Sequence, residues 1–126
     1  VILQIESPEA LENVEKIAAV PGFDGILFGP GDFSHRIGKP GQIDDPVVVA
    51  ARKQVAAAAR KNGKFAMTAG LIAPLGDLVA EGYHVIGIGA DVVALTGYIK
   101  QRLELVRGLI SDLPAAIKPP AKSPYA

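Results

Sequence analysis

Cysteine is missing from this chain altogether, which excludes disulfides and thiolate-held metals and agrees with a reducing compartment. An excess of either charge is missing too: 13 Lys and Arg face 13 Asp and Glu. No broad basic field exists to draw in nucleic acid or an anionic membrane surface, so an acidic ligand must be held by local groups. No apolar run is long enough to span a bilayer, and the first residues lack the basic start and cleavage site of a signal peptide. The expected compartment is the cytoplasm. The chain also lacks the loosely ordered lead-in usual at a natural terminus, going from Val1 directly into a strand-like run, and we expect it to be truncated.

What the chain does have is a core. At 126 residues with 49% hydrophobic composition, a single domain can bury roughly two thirds of its unfolded surface. Val1 to Glu6 reads as a buried strand bounded by Ser7-Pro8, with Ser7 as N-cap of a helix that carries Leu11, Val14, Ile17 and Ala18 and stops at Val20-Pro21-Gly22. A second strand over Asp24 to Phe28 runs into a loop, Gly29 to Ser34, and a longer Gly/Pro/Asp-rich connection. The helix after it begins with Asp45 as cap and Pro46 in the first turn, shows Val48, Ala51, Val55, Ala58 and Ala59 on one face, and ends at Asn62-Gly63. A third unit has its strand over Lys64 to Thr68, a loop through Pro74 and a short helix closed by Gly82. A fourth has its strand over His84 to Ile88, then a helix with Leu95, Ile99, Leu103, Val106 and Ile110 facing inward. Residues 114–126 form a Pro- and Lys-rich tail without packed structure of its own, leaving 1–113 as the structured part.

Four consecutive βα units imply a parallel sheet, because parallel neighbours need a crossover and the helix is that crossover. An open doubly wound sheet is expected to show a Gly-rich phosphate turn after its first strand; Glu6-Ser7-Pro8 stands there instead. The expected class is therefore α/β, as the C-terminal half of a (β/α)₈ TIM barrel.

Active sites of such barrels lie at the carboxyl ends of the strands. Alternation in the first strand sends Gln4 and Glu6 to one face, toward the barrel mouth, and Leu3 and Ile5 to the other. Asp32 follows the next strand at the equivalent place. Two carboxylates at the ends of adjacent strands, whose axes lie roughly 4.8 Å apart, can converge on one hard divalent cation such as Mg²⁺ or Mn²⁺. Taken singly, Glu6 is as well explained as a carboxylate favoured near a helix N-terminus. Gly31 permits close backbone approach and leaves an N–H to hold a small carboxylate, against the plainer reading of a Gly/Pro turn. Asp91, in Gly87-Ile88-Gly89-Ala90-Asp91, stays unassigned, as do His35 and Arg36. His84 is read as structural, and Lys64 begins a strand rather than ending one, which argues against a Schiff base. Neither histidine has a nearby nucleophile in a hydrolase-like arrangement.

Gln4-Ile5-Glu6-Ser7, Val20-Pro21-Gly22-Phe23-Asp24-Gly25 and Gly29-Pro30-Gly31-Asp32-Phe33-Ser34, at these spacings, resemble the C-terminal half of the HpcH/HpaI aldolase family, the class II pyruvate aldolases. The similarity runs from Val1 to about Leu109 and omits the tail. It implies an oligomeric barrel enzyme, acting on 4-hydroxy-2-oxo acids such as 4-hydroxy-2-oxoheptanedioate or 2-dehydro-3-deoxy-sugar acids. Products would be pyruvate and an aldehyde, formed through an enolate stabilised by a divalent cation. By motif it makes Glu6 and Asp32 metal ligands, Gln4 a substrate contact and Gly31 a backbone contact to the pyruvate carboxylate. Gly31 stands where Ala is common and Phe33 where Leu is common, and Thr68-Ala69-Gly70-Leu71 departs from the usual Gly-Ile-Leu-Ala, which leaves the aldehyde partner unassigned. The family's catalytic His and its Arg belong to the N-terminal half, so no catalytic residue is assigned here and this segment alone is expected to turn over slowly or not at all. Two other readings compete: a citrate lyase β-like C–C lyase acting on acyl-CoA esters, and a non-catalytic half-barrel that associates with another chain through its open sheet edges.

Overall fold

The computed structural model describes residues 1–70 and 75–111, so the end of the loop expected through Pro74 and the expected tail lie outside the described residues. Its elements are β1 (Ile2–Ile5), α1 (Pro8–Glu12), α2 (Val14–Ala18), β2 (Gly25–Phe28), α3 (Pro30–Arg36), α4 (Pro46–Lys61), β3 (Phe65–Ala69), α5 (Leu75–Glu81), β4 (Val85–Gly87) and α6 (Asp91–Ser111). Contacts divide the chain into two units, Val1–Gly89 and Ala90–Ala126.

In the first unit the strands form one parallel sheet in the order β1-β2-β3-β4, as the βα repeat requires. The helix signals act where the sequence puts them. Ser7 Oγ accepts from the Ala10 N–H at 3.2 Å. Asp45 accepts from the Val47 N–H at 2.9 Å with Pro46 as the first helical residue. Helix α4 ends at Asn62, and Gly63 follows at φ +66, a left-handed conformation that suits glycine; Gly82 closes α5 at φ +99.

Three expectations need correction. The first helix is broken at Asn13, whose side chain donates to the Glu9 carbonyl at 2.8 Å; this local bond competes with a continuous helical ladder. The segment Gly29 to Ser34 is not a loop, since Pro30, with φ already fixed near its helical value, starts α3. Ser34 Oγ steadies this turn, donating to the Gly31 carbonyl at 2.6 Å and accepting from the Gly41 N–H at 3.0 Å. Finally, α6, in the second unit, has no buried residue of its own, and the expected inward set Leu95, Ile99, Leu103 and Val106 is exposed.

Parallel register assigns the sheet two faces. Ile5, Phe28 and Thr68 stand in one row and Leu3, Ile26 and Ala66 in the next, and these are the residues that meet the helices. Val14, Ala18, Phe33, Val48, Val55 and Leu78 complete this core from the helical side, all essentially inaccessible. Burying each of the Val, Leu and Phe side chains among them favours the fold by about 1.5–3 kcal/mol. Thr68 is the one polar strand residue in the layer, and its hydroxyl is satisfied by the Phe28 carbonyl at 3.1 Å.

Candidate functional site

On the opposite sheet face the rows read Ile2, Gly25, Phe65 and then Gln4, Leu27, Met67, Val85. Ile2, Gln4 and Val85 are exposed, and Leu27, Phe65 and Met67 are half-buried, so within the described residues of the first unit this face is less buried than the other. The chain leaves β1 at Glu6 and β2 at Gly29. The Gly29 N–H donates to the Ile5 carbonyl at 3.0 Å, which extends the β1–β2 pairing by one step and sets Glu6 beside Gly29 at the carboxyl edge.

Three of the residues at this edge are held together. Gln4 and Glu6 share a face, and Gln4 Nε2 donates to Glu6 Oε2 at 2.5 Å. A β-carbon placed on Gly29 would come within 3.1 Å of Gln4 Nε2, 3.2 Å of Glu6 Cβ and 3.5 Å of Glu6 Oε2. The Gly29 α-carbon therefore backs directly on the pair. Asp32 and Gly31 lie one step farther along the chain, in the first turn of α3. Asp32 is exposed, and no hydrogen bond or ion pair engages its carboxylate among the described residues. Around Gly31 a β-carbon would meet nothing within 4 Å, so the backbone there is open to approach. Glu6 and Asp32 thus each follow one of two hydrogen-bonded neighbouring strands, at the same end of the sheet.

No three His, Cys, Asp or Glu side chains gather closely enough to cage an ion among the described residues. The donor set available at the strand ends is two carboxylates, which suits a small hard cation that keeps water or substrate oxygens in its remaining positions. The residues present fit such an ion chemically.

His35 and Arg36 are exposed on the last turn of α3. His84 Nδ1 accepts from the Ala66 N–H at 3.3 Å while the His84 backbone N–H donates to the Ala66 carbonyl at 2.9 Å. Lys64 Nζ donates to the Phe23 carbonyl at 2.6 Å and sits 4.1 Å from the Phe23 ring centre, at the start of β3. Asp91 accepts from the Val92 N–H at 2.7 Å at the head of α6.

Sequence reasoning passed over a polar group on the helical side. Arg52 Nε and Nη2 bond Glu81 Oε2 and Oε1 at 2.7 Å each, a bidentate pair joining α4 to α5, and the Tyr83 hydroxyl donates to the Arg52 carbonyl at 2.8 Å. The hydrogen bond to Glu81 raises the Arg52 pKa, and burial pushes the Tyr83 phenol well above its ordinary value. A cleft of about 570 Å³ opens beside this group, lined by Arg52, Lys53, Asp77 and Glu81 among others. Arg52 and Glu81 neutralise each other there, so its walls carry no unanswered charge of that pair.

The profile of the HpcH/HpaI aldolase/citrate lyase family matches residues 1–96. A 5-keto-4-deoxy-D-glucarate aldolase of Klebsiella pneumoniae is 36% identical over 95 residues, covering 75% of this chain and 35% of that protein. A hydroxypyruvate/pyruvate aldolase of Paraburkholderia phytofirmans is 36% identical over 112 residues, covering 84% of this chain and 41% of that one. Among solved structures, an HpcH/HpaI aldolase/citrate lyase family protein from Burkholderia cenocepacia superposes with a TM-score of 0.76 at 35% identity, over 85% of this chain and 42% of the other. This chain thus spans less than half the length of the relatives it matches.

Proposed function

Since the chain belongs to the HpcH/HpaI aldolase/citrate lyase family, we propose that it supplies the C-terminal four βα units of a (β/α)₈-barrel aldolase. The enzyme cleaves a 4-hydroxy-2-oxo acid to pyruvate and an aldehyde with the help of a divalent cation, Mg²⁺ or Mn²⁺. The observation that carries this reading is the placement of Glu6 and Asp32 after neighbouring parallel strands at one end of the sheet, with Gln4 bonded to Glu6 beside them.

The exposure of Ile2, Gln4 and Val85 on one sheet face supports a half-barrel. In a closed barrel the row Gln4, Leu27, Met67, Val85 turns to the interior, and β1 and β4 pair with further strands rather than remaining open edges. Those strands come from elsewhere in the same polypeptide or from a partner.

In the proposed site Glu6 and Asp32 would hold the cation. When bound, it supplies positive charge against the oxygen on which the enolate develops. Gln4 engages one oxygen of Glu6 through its amide nitrogen, so the Glu6 carboxylate would be oriented toward the ion and the amide oxygen of Gln4 would remain for substrate. The open backbone at Gly31 receives the 2-oxo acid carboxylate. Cleavage removes the proton of the C4 hydroxyl and breaks the C3–C4 bond. The electron pair passes to the C2 oxygen, the aldehyde leaves, and protonation at C3 gives pyruvate. The proton acceptor is assigned to the rest of the barrel, because His35 and Arg36 stand on the last turn of α3 rather than at a strand end.

A coupled assay for pyruvate release on the protein containing this chain tests the reading. Cleavage should stop on chelation and return with Mn²⁺ or Mg²⁺. Full turnover in a chelator, or faster cleavage of an acyl-CoA ester than of any free oxo acid, is the result against it.

A further inference from the structure

We infer that Gly29 is a positioning residue whose missing side chain sets the place of the Gln4–Glu6 pair; the inference deepens the cation reading above and rests on it. The backbone does not call for glycine here. Gly29 has φ −96 and ψ 87, on the negative-φ side that L residues adopt. Capping does not call for it either. Gly29 is the N-cap of α3, a position where Ser, Asp or Asn satisfies free N–H groups of the first turn, and no side-chain cap bond is made here.

What calls for glycine is space. Gly29 is buried, and the β-carbon of any other residue would lie 3.1 Å from Gln4 Nε2 and 3.2 Å from Glu6 Cβ. Both contacts are tighter than nearly all β-carbons make, so the pair has to give by a few tenths of an ångström. Gln4 Nε2 and Glu6 Oε2 are already at hydrogen-bond distance, 2.5 Å, and cannot relieve the contact by closing on each other. The shift of a few tenths of an ångström therefore falls on the pair, and the 3.2 Å contact at Glu6 Cβ carries it to the Glu6 side chain. Gly31 offers the contrast: it lies two residues away and has open space where its β-carbon would be. The same strand end thus holds one glycine with a steric reason and one without.

The experiment compares the wild-type protein with Gly29→Ala and Gly29→Ser. In the metal-free state, the side-chain amide signals of Gln4 in a ¹H–¹⁵N spectrum should move in both variants, while signals from α4 and β3 stay in place. Titration with Mn²⁺, followed by electron paramagnetic resonance, should show dissociation constants about 10-fold or more above wild type, the lower end of what disturbing the support of a metal ligand does. Gly29→Ser restores a capping hydroxyl, so a purely structural role for this position predicts an unchanged or higher melting temperature together with unchanged Mn²⁺ affinity. Intact stability with weakened binding is the result expected here. Unmoved Gln4 amide signals in Gly29→Ala overturn the inference. Absence of Mn²⁺ binding by the wild-type protein overturns the cation reading instead, and the metal-free spectra then decide the inference by themselves.

Discussion

Gln4 and Glu6 stand two residues apart on the same face of β1 and its exit, joined by a 2.5 Å hydrogen bond from Gln4 Nε2 to Glu6 Oε2. An amide fixed on one carboxylate oxygen leaves the other to act, and orients it. If Glu6 and Asp32 serve one ion, the wild-type protein binds one Mn²⁺ per chain, and Glu6→Gln and Asp32→Asn each weaken that site by about 10–100-fold or more. Two separate sites would leave a full-affinity ion in each single variant. Mn²⁺ stoichiometry from a resonance titration separates the two cases, and the second outcome dismantles the shared centre.

The pair Arg52–Glu81 makes a prediction about stability alone. Both side chains are largely shielded, at 12% and 11% exposure, and the two bonds tie α4 to α5. Glu81→Gln removes the charge that answers Arg52 and should lower unfolding free energy by about 1–3 kcal/mol, while Tyr83→Phe, which drops one neutral bond, should lower it by about 1 kcal/mol. Denaturant melts measure both. Mn²⁺ affinity is expected to stay at the wild-type value in each, since neither residue belongs to the strand-end group.

How far these features were legible depended on their range. The caps at Ser7 and Asp45 and the stops at Gly63 and Gly82 are local chemistry, written in a few adjacent residues, and the helical face of α4 follows from spacing alone. The positions of Glu6 and Asp32 beyond neighbouring strands follow from strand alternation and the βα repeat. Helix α3 was missed because Gly-Pro-Gly reads as a turn, whereas the bonds that hold it run from Ser34 back to Gly31 and onward to Gly41. Gly29 was invisible for a related reason: its neighbours Gln4 and Glu6 are more than twenty positions away, and only the β1–β2 register brings them together. Thr68 shows the same limit. It stands in the stretch that leaves the aldehyde partner unassigned, and its side chain belongs to the helical core while Ala69 beside it is exposed.

Asp45 links capping to acid stability. Its hydrogen bond with Lys39, at 2.6 Å, and then the bond from the Val47 N–H hold its pKa below the ordinary carboxylate value. A depressed folded-state pKa means that the stabilisation is fully present above the unfolded value of about 3.9 and is lost as pH falls through the folded value. The melting temperature of the wild-type protein should therefore drop more steeply below about pH 4 than that of Asp45→Asn. Parallel curves for the two proteins would mean that Asp45 has no part in acid unfolding.

Gly25 and Phe65 are register partners on the less buried face, and the Phe65 ring lies across the space a Gly25 side chain would fill. A glycine in a strand costs conformational entropy and offers nothing to pack, so the ring's cover is what restores shielding to the start of β2. Gly25→Ala has to push the aromatic aside and should destabilise by about 1–3 kcal/mol, the usual range for overpacking. Shortening the partner relieves the overlap. In the double variant Gly25→Ala with Phe65→Leu, the loss should be smaller than the sum of the two single losses, and the interaction energy of the cycle, measured by urea unfolding, reports how much of the Gly25 requirement is steric. Strict additivity would show that the ring does not determine the residue at position 25, and that the glycine is there for a reason confined to its own strand.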